Sequence, residues 1–168
     1  MIRVLVITGS MGAGKTTVMA EASDLLTASD IVHAAIDLDA LGIRHAPEAR
    51  GHHIEYRNLA AVWRNYADAG IRRLLIAEAI EGRAELELLR EAIPGSELRV
   101  CRLTASLETM QQRVRMREPG VMQDTFVKRV AHLDAVIDEA RVEDFTLDNS
   151  DRSITDVARE MLVRAEWL

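Results

Sequence analysis

Residues 9–17 of the chain, with the sequence GSMGAGKTT, constrain its fold more than any other segment. They match the pattern G-x-x-x-x-G-K-[ST], follow the apolar run VLVIT at residues 4–8 and precede a stretch with helical spacing. Glycines at the fixed positions let consecutive backbone N–H groups face a phosphate, and the following helix adds the positive end of its dipole. The segment therefore predicts a phosphate-binding loop between a strand and a helix.

Each side chain that ends this loop has an expected task. Lys15 is expected to bridge the β- and γ-phosphate oxygens, and the Thr16 hydroxyl is expected to coordinate Mg²⁺. The alternative is a glycine-rich turn with a solvated lysine, which does not require this pattern between a strand and a helix. The predicted nucleotide contacts within the loop are Gly9, Gly12, Ala13, Gly14, Lys15, Thr16 and Thr17.

Along the rest of the chain, short apolar runs alternate with longer stretches of helical periodicity, which is typical of an α/β fold with a parallel sheet. Strands are predicted at residues 3–8, 31–37, 72–77, 98–103 and 144–147. Helices are predicted at residues 15–28, 53–69, 82–93 and 106–117, followed by one that begins at Asp124 as N-cap and a last one capped by Ser153. No linker or repeat divides residues 1–168, so the sequence predicts one domain.

Composition narrows the class of protein. The 168 residues include 21 Lys+Arg against 27 Asp+Glu, and a net charge of −6 argues against a protein built to hold nucleic acid. The one cysteine, Cys101, cannot form an intramolecular disulfide, which fits a reducing cytoplasm. The apolar start at residues 2–7 is too short for a secretory signal, and no apolar run is long enough to span a membrane. The sequence predicts a cytoplasmic protein that acts on small molecules.

Several acidic residues follow the predicted strands. The second strand runs into Asp37-Leu38-Asp39, and acids two positions apart on a strand point the same way. Two carboxylates at the ligand-facing end of a strand would repel each other without a cation, which favours a functional role. The third strand ends at Glu78 where many ATPases have an aspartate, and no N-K-x-D motif for guanine is present. The loop alone leaves ATPase, GTPase and kinase activity open.

Taken in order, these features resemble the small P-loop kinases, a group that includes gluconate, shikimate and adenylylsulfate kinases and nucleoside and nucleotide kinases. The resemblance rests on the P-loop, the Asp37-Leu38-Asp39 pair, the arginines of residues 107–117 and the sequence FTLDN at residues 145–149. It implies a three-layer αβα P-loop NTPase fold with a five-stranded parallel sheet of order 2-3-1-4-5. It also implies ATP with Mg²⁺ as phosphoryl donor and a lid, here short, at about residues 118–123.

The resemblance also implies roles for single residues. Asp37 either orders the Mg²⁺ shell or accepts the proton of the acceptor hydroxyl, and Asp39 holds the acceptor. Arg113 resembles the arginine that stacks on adenine, Arg117 the lid arginine that reaches the transferring phosphate, and Asn149 lies in the loop against the base. Arg115 is expected on the surface.

The acceptor is left open by the sequence, because no Gly-Gly-Gly loop of the shikimate type follows the third strand. Residues 40–53 form the predicted acceptor loop, which is rich in arginine and histidine. If this loop closes over the acceptor as a lid, its charges favour an anionic or polyhydroxylated acceptor. The alternative is a surface loop without a role in binding. A zinc site is not expected, since no cysteine accompanies the histidines. The predicted acceptor contacts are Asp39, Arg57 and Glu78.

The sequence thus predicts an ATP-dependent phosphotransferase that acts on a hydroxyl of a small molecule and works as a monomer or homodimer. The alternatives are a nucleoside monophosphate kinase and a regulatory nucleotide-binding ATPase module. The predicted catalytic residues are Lys15, Asp37 and Arg117, the predicted metal ligands are Thr16 and Asp37, and nucleotide contacts outside the loop are Arg113 and Asn149.

Overall fold

Five parallel strands form one sheet in the computed structural model, which describes residues 1–45, 51 and 53–168. The strand order β2-β3-β1-β4-β5 confirms the predicted fold class and places β1, which leads into the P-loop, at the centre of the sheet. The strands are β1 Ile2–Thr8, β2 Ala34–Asp37, β3 Arg73–Ala77, β4 Ser96–Thr104 and β5 Phe145–Asp148.

The described residues include helices α1 Lys15–Ala28, α2 Leu38–Gly42, α3 Ile54–Asp68, α4 Arg83–Ala92, α5 Leu107–Arg117, α6 Gln123–Ala140 and α7 Ile154–Arg164. Two of them begin with a serine cap. The Ser106 hydroxyl oxygen accepts a hydrogen bond from the backbone N–H of Thr109 before α5, and the Ser153 hydroxyl accepts one from Asp156 before α7. Each satisfies a backbone donor that the first helical turn leaves unpaired.

Three local predictions are corrected by the structure. Residues 31–33 lie outside β2, because the His33 ring bonds the Ile31 carbonyl oxygen and the Ser23 hydroxyl, so this stretch is engaged locally. Helix α2 was not predicted. Helix α6 begins two residues earlier than expected, with Met122 instead of Asp124 as N-cap, and Asp124 lies within its first turn, where its charge complements the helix dipole.

The core lies on both faces of the sheet, because successive side chains of a strand point to opposite sides. On β1, Leu5 and Ile7 pack with buried residues of α1, α5, α6 and α7, whereas Val4 and Val6 pack with α3 and α4. Trp63, on α3, is part of the second group. Of the helices described, none is both long and apolar enough to cross a membrane.

Candidate active site

The P-loop follows β1 and ends where α1 begins. Gly12 and Gly14 have φ values of 81° and 100°, a region that side chains with a Cβ rarely adopt. A Cβ at Gly12 would collide with the backbone carbonyl of Met110, and one at Gly14 would collide with the side-chain amide of Asn149. Both positions therefore require glycine for conformation and for space.

Asn149 and Arg113 hold the P-loop backbone from the side of β5 and α5. The Asn149 side chain, 3% exposed, donates from Nδ2 to the carbonyl oxygen of Ala13 at 2.8 Å. The Arg113 guanidinium donates to the carbonyl oxygen of Gly12 at 3.3 Å and to that of Asn149 at 2.8 Å. Both residues were predicted as nucleotide contacts, and the structure gives each a bond to the loop itself.

Two buried hydroxyls that the sequence reasoning missed position the neighbouring segments. The Ser10 hydroxyl in the P-loop donates to the Val130 carbonyl oxygen of α6 at 2.8 Å. The Thr8 hydroxyl oxygen accepts from the backbone N–H of Ile80 at 2.9 Å, which fixes the segment after β3. Their signal in the sequence is a polar side chain at the end of an otherwise apolar strand.

A cleft of about 470 Å³ opens in front of the P-loop, and we call it the P-loop cleft. Arg113, Met116 and Arg117 line it from α5, opposite Lys15 and Thr16, while Arg115 is exposed outside its lining. The Arg117 side chain, 59% exposed, is held by Glu118 at 2.9 Å. The cleft thus places two arginines of one helix face across from the phosphate-binding backbone.

Lys15 is the half-buried lysine that lines this cleft. Its Nζ donates to the carbonyl oxygen of Gly9 at 2.9 Å. Burial lowers the pKa of Lys15, and the nearby carboxylates of Asp39 and Glu78 act in the opposite direction. Lys15 is therefore close to both acids.

The two aspartates after β2 are arranged differently from the prediction. Asp37 ends the strand and is the N-cap residue of α2, so Asp39 belongs to the first helical turn and not to the strand. The geometry of alternating strand positions does not apply to this pair. The Thr16 hydroxyl donates to Asp37 Oδ2 at 2.7 Å, whereas Asp39 lines the P-loop cleft.

Thr16 and Asp37 provide the donor set that Mg²⁺ prefers. Both offer oxygen atoms, both belong to the rim of the phosphate-binding loop, and Mg²⁺ keeps several waters and phosphate oxygens besides one or two protein ligands. The residues present therefore fit the ion. Within the described residues, no group of three or more His, Cys, Asp or Glu side chains is arranged to hold a metal by itself.

A second space of about 980 Å³ adjoins the P-loop cleft, and we call it the neighbouring cavity. It is lined by residues of α2, the start of α3, the segment after β3, α4 and α6. Met11, Lys15 and Asp39 line both spaces. The cleft and the cavity therefore lie side by side and share these three residues in their walls.

Carboxylates crowd the neighbouring cavity. Burial, and after it the charge of Asp39, raises the pKa of Glu78 to about 8. Burial also raises the pKa of the Tyr56 hydroxyl, and Glu78 and Glu85 raise it further. Acidic side chains outnumber lysines and arginines among the described residues that line the cavity.

The structure brings two of the three predicted acceptor contacts into the cavity. Asp39 and Glu78 line it, whereas Arg57 is exposed on α3 and lies outside the lining. The reason is helical geometry, since Arg57 is rotated by about 100° from Tyr56, which does line the cavity. Within its described residues, the predicted acceptor loop contributes Arg44 to the lining, and residues 46–50 and 52 of that loop lie outside the described residues.

Tyr56 and Glu85 were missed by the sequence reasoning. Tyr56 shares a face of α3 with the buried Leu59 and Trp63, so its position predicts a core residue. Glu85 reads as a solvated charge in the first turn of α4. Only the meeting of α3, α4 and the segment after β3 brings them together.

The sheet order and the glycine-rich loop at the end of β1 define a P-loop NTPase fold. No protein-family model matches the chain, and no curated protein matches it.

Solved protein structures do match the chain, over nearly its whole length. The APS kinase of Mycobacterium tuberculosis, in complex with AMPPNP and APS, is 22% identical with a TM-score of 0.68, and 98% of each chain is covered. A gluconokinase from Sinorhizobium meliloti is 20% identical with a TM-score of 0.61, covering 97% of this chain and 91% of the other. The tunicamycin resistance protein of Deinococcus radiodurans is 17% identical with a TM-score of 0.66, covering 100% and 98%. The resemblance to P-loop small-molecule kinases is confirmed at the level of the fold.

Proposed function

We propose that the protein transfers the γ-phosphoryl group of ATP to a hydroxyl of a small molecule. The observation that carries the proposal is that the P-loop cleft and the neighbouring cavity adjoin and share Lys15 and Asp39 in their linings. A nucleotide with its phosphates on the P-loop and an acceptor in the cavity would bring their reacting atoms together there. Fold relatives that include a gluconokinase and an APS kinase support the same class of reaction.

The donor side uses positioning and charge. Backbone N–H groups of the P-loop and Lys15 bind the phosphates, and Arg117 lies across the cleft, where a cation stabilises the negative charge spread over the transferring group. Thr16 and Asp37 would hold Mg²⁺, which offsets charge on the β- and γ-phosphates. Arg113 and Asn149 keep the loop in its binding conformation through their bonds to its carbonyl oxygens.

The acceptor side supplies a base. The acceptor oxygen attacks the γ-phosphorus, the bond from that phosphorus to the bridging oxygen breaks, and ADP leaves. The hydroxyl proton passes to a carboxylate, and we assign this role to Asp39, because it lines both spaces while Asp37 is engaged by the Thr16 hydroxyl. Asp37 is assigned to the metal side.

The two alternatives receive less support. A nucleoside monophosphate kinase needs cations free to bind an acceptor phosphate, yet Arg44 and Arg129 in the cavity are paired with Glu55 and Glu81. A regulatory ATPase needs only water beside the γ-phosphate, and a cavity of about 980 Å³ exceeds that need.

A screen for transfer tests the proposal. The protein is incubated with ATP, Mg²⁺ and a panel of hydroxyl compounds of different charge, and products are followed by mass spectrometry together with ADP formation. Acceptor-dependent ADP formation with a phosphorylated product is expected, and Lys15→Ala should abolish both. Hydrolysis of ATP that no acceptor accelerates would contradict the proposal and favour the regulatory module.

A further inference from the structure

We propose that the acceptor is a cationic alcohol, a hydroxyl compound such as an amino sugar whose ammonium group binds beside Glu78 and Glu85 in the neighbouring cavity. The inference rests on the proposed function, since it names the substrate class of the same site. The cavity itself is identified by the residues it shares with the P-loop cleft, and its charges and the Tyr56 hydroxyl decide what it binds.

The first observation is the balance of charge around the cavity. Its carboxylates outnumber its permanent cations among the described residues. The acids are Asp39, Glu55, Glu78, Glu81, Glu85 and Glu118, and the cations are Lys15, Arg44 and Arg129. An anionic acceptor would therefore be repelled by most of the charge it meets.

The cations of the cavity are already engaged. Arg44 is paired with Glu55 at 3.0 Å, and Arg129 is paired with Glu81 at 3.7 Å. Lys15 bonds the P-loop backbone and is assigned to the phosphates of the nucleotide. Two of these cations thus already face carboxylates and the third is assigned to the nucleotide, which disfavours an anionic acceptor.

Three carboxylates of the cavity are left without an ion-pair partner among the described residues. Asp39, Glu78 and Glu85 have no ion-pair partner within the part of the chain that the structure describes, and they line the cavity from α2, from the segment after β3 and from α4. Converging from three elements, they surround a common space. Burial and the charge of Asp39 raise the pKa of Glu78 to about 8, so this carboxyl is mostly protonated at neutral pH without a ligand, and an ammonium group beside it would favour its charged form.

The second observation is the Tyr56 hydroxyl. Tyr56 is 7% exposed and lines the cavity, and its hydroxyl makes no hydrogen bond to another described residue. The side chain is largely buried but its hydroxyl oxygen is not enclosed, so the hydroxyl can donate or accept a hydrogen bond with a ligand in the cavity. Glu78 and Glu85 line the same cavity as Tyr56. Phe126 adds an aromatic ring to the lining, which also suits a cation.

The test uses sugars of similar size and different charge. Glucosamine, glucose and glucuronate are compared with ATP and Mg²⁺, together with kanamycin as a larger amino sugar and trehalose as its neutral counterpart. Binding is measured by calorimetry on protein loaded with a non-hydrolysable ATP analogue, and transfer is measured by mass spectrometry. The amine members are expected to bind at least about tenfold more tightly than the neutral and anionic members.

A matched pair of variants on α4 isolates the charge. Glu85→Gln keeps the shape of a side chain in the cavity but removes its charge, and we expect it to weaken binding of the amine members by about ten- to a hundredfold. The control is Glu87→Gln, because Glu87 is exposed, pairs with Arg90 at 2.7 Å and lies outside the cavity lining. Glu87→Gln should leave binding unchanged, and both variants should bind ATP as the wild type does.

The outcomes separate this inference from the proposed function. Preferred transfer to glucose, trehalose or glucuronate would overturn the cationic acceptor while supporting the transferase. Binding of an amine member that is lost in Glu85→Gln, without transfer, would support the cation site and count against the transferase. If no amine member binds, or if Glu85→Gln and Glu87→Gln behave alike, the inference is wrong.

Discussion

Replacing Asn149 by alanine tests whether the P-loop is held in place by a residue distant from it in sequence. The side chain is buried, and it is the hydrogen-bond partner that the described residues offer to the carbonyl oxygen of Ala13, itself fully buried. Without it, that oxygen is left unpaired in the protein interior. We expect Asn149→Ala to destabilise the fold and to weaken ATP binding together.

The size of the effect follows from the bond that is lost. A buried acceptor without a partner costs about 2 kcal/mol in free energy of unfolding. For a chain of this length, that corresponds to a fall in Tm of about 4–8 °C. The loss also frees the loop next to Gly14, so we expect the ATP dissociation constant to rise by about tenfold.

A matched control is Asn58→Ala. Asn58 also donates from Nδ2 to a backbone carbonyl oxygen at 2.8 Å, that of Leu41, but it is exposed, so water can replace the bond. Both variants are compared by thermal and urea unfolding and by titration with ATP. If Asn149→Ala lost no more stability than Asn58→Ala and bound ATP normally, the reasoning from burial would be refuted.

Four further predictions concern the site directly. Lys15→Ala should abolish transfer while the unfolding curve stays close to that of the wild type; activity within about tenfold of the wild type would contradict the P-loop assignment. Asp37→Asn should lower kcat far more than it weakens ATP binding, as steady-state kinetics over a range of Mg²⁺ concentrations would reveal. Arg117→Ala should lower kcat by at least about a hundredfold and Arg115→Ala should have little effect; equal effects would mean that the helix face is misassigned. Burial raises the pKa of Glu78 from 4.5 to about 8 on folding, so the folded protein binds a proton that the unfolded chain has already released. The stability that this bound proton contributes is complete below about pH 4.5 and is lost as the pH rises through 8. Glu78→Gln should flatten that fall in urea unfolding measured from pH 5 to 8, and identical profiles of the two proteins would contradict the burial of this carboxyl.

The fold could be predicted from the sequence because its signals are local. The P-loop pattern, the apolar strands and stops such as Pro94-Gly95 each act within a few residues, and the helices predicted from them are close to those of the structure. The turn after β2 was misread because Asp37-Leu38-Asp39 fits an extended strand as well as a helix start. An acid at the N-cap and another in the first turn were the signal for the helix.

The neighbouring cavity could be predicted only in part, because its lining comes from elements far apart in the chain. Asp39 and Glu78 follow strands whose carboxyl ends meet at one edge of the sheet, so topology places them. Tyr56 and Glu85 depend on the angle at which α3 and α4 pack, which no local pattern encodes. Arg57 was misplaced for the same reason, by one step around its helix.

The core is divided between the two faces of the sheet, so residues of the acceptor cavity on one face can change in evolution with little effect on the packing of the other face. Glu55, Tyr56 and Glu85 are carried by α3 and α4, which pack on the Val4 and Val6 side, whereas α1, α5, α6 and α7 pack on the other, and of these helices α6 also lines the cavity. Mutations that drift through α3 and α4 can therefore alter which molecule is accepted while the packing behind the P-loop is conserved. Selection on such a chain can therefore change the acceptor that it phosphorylates with little loss of ATP binding.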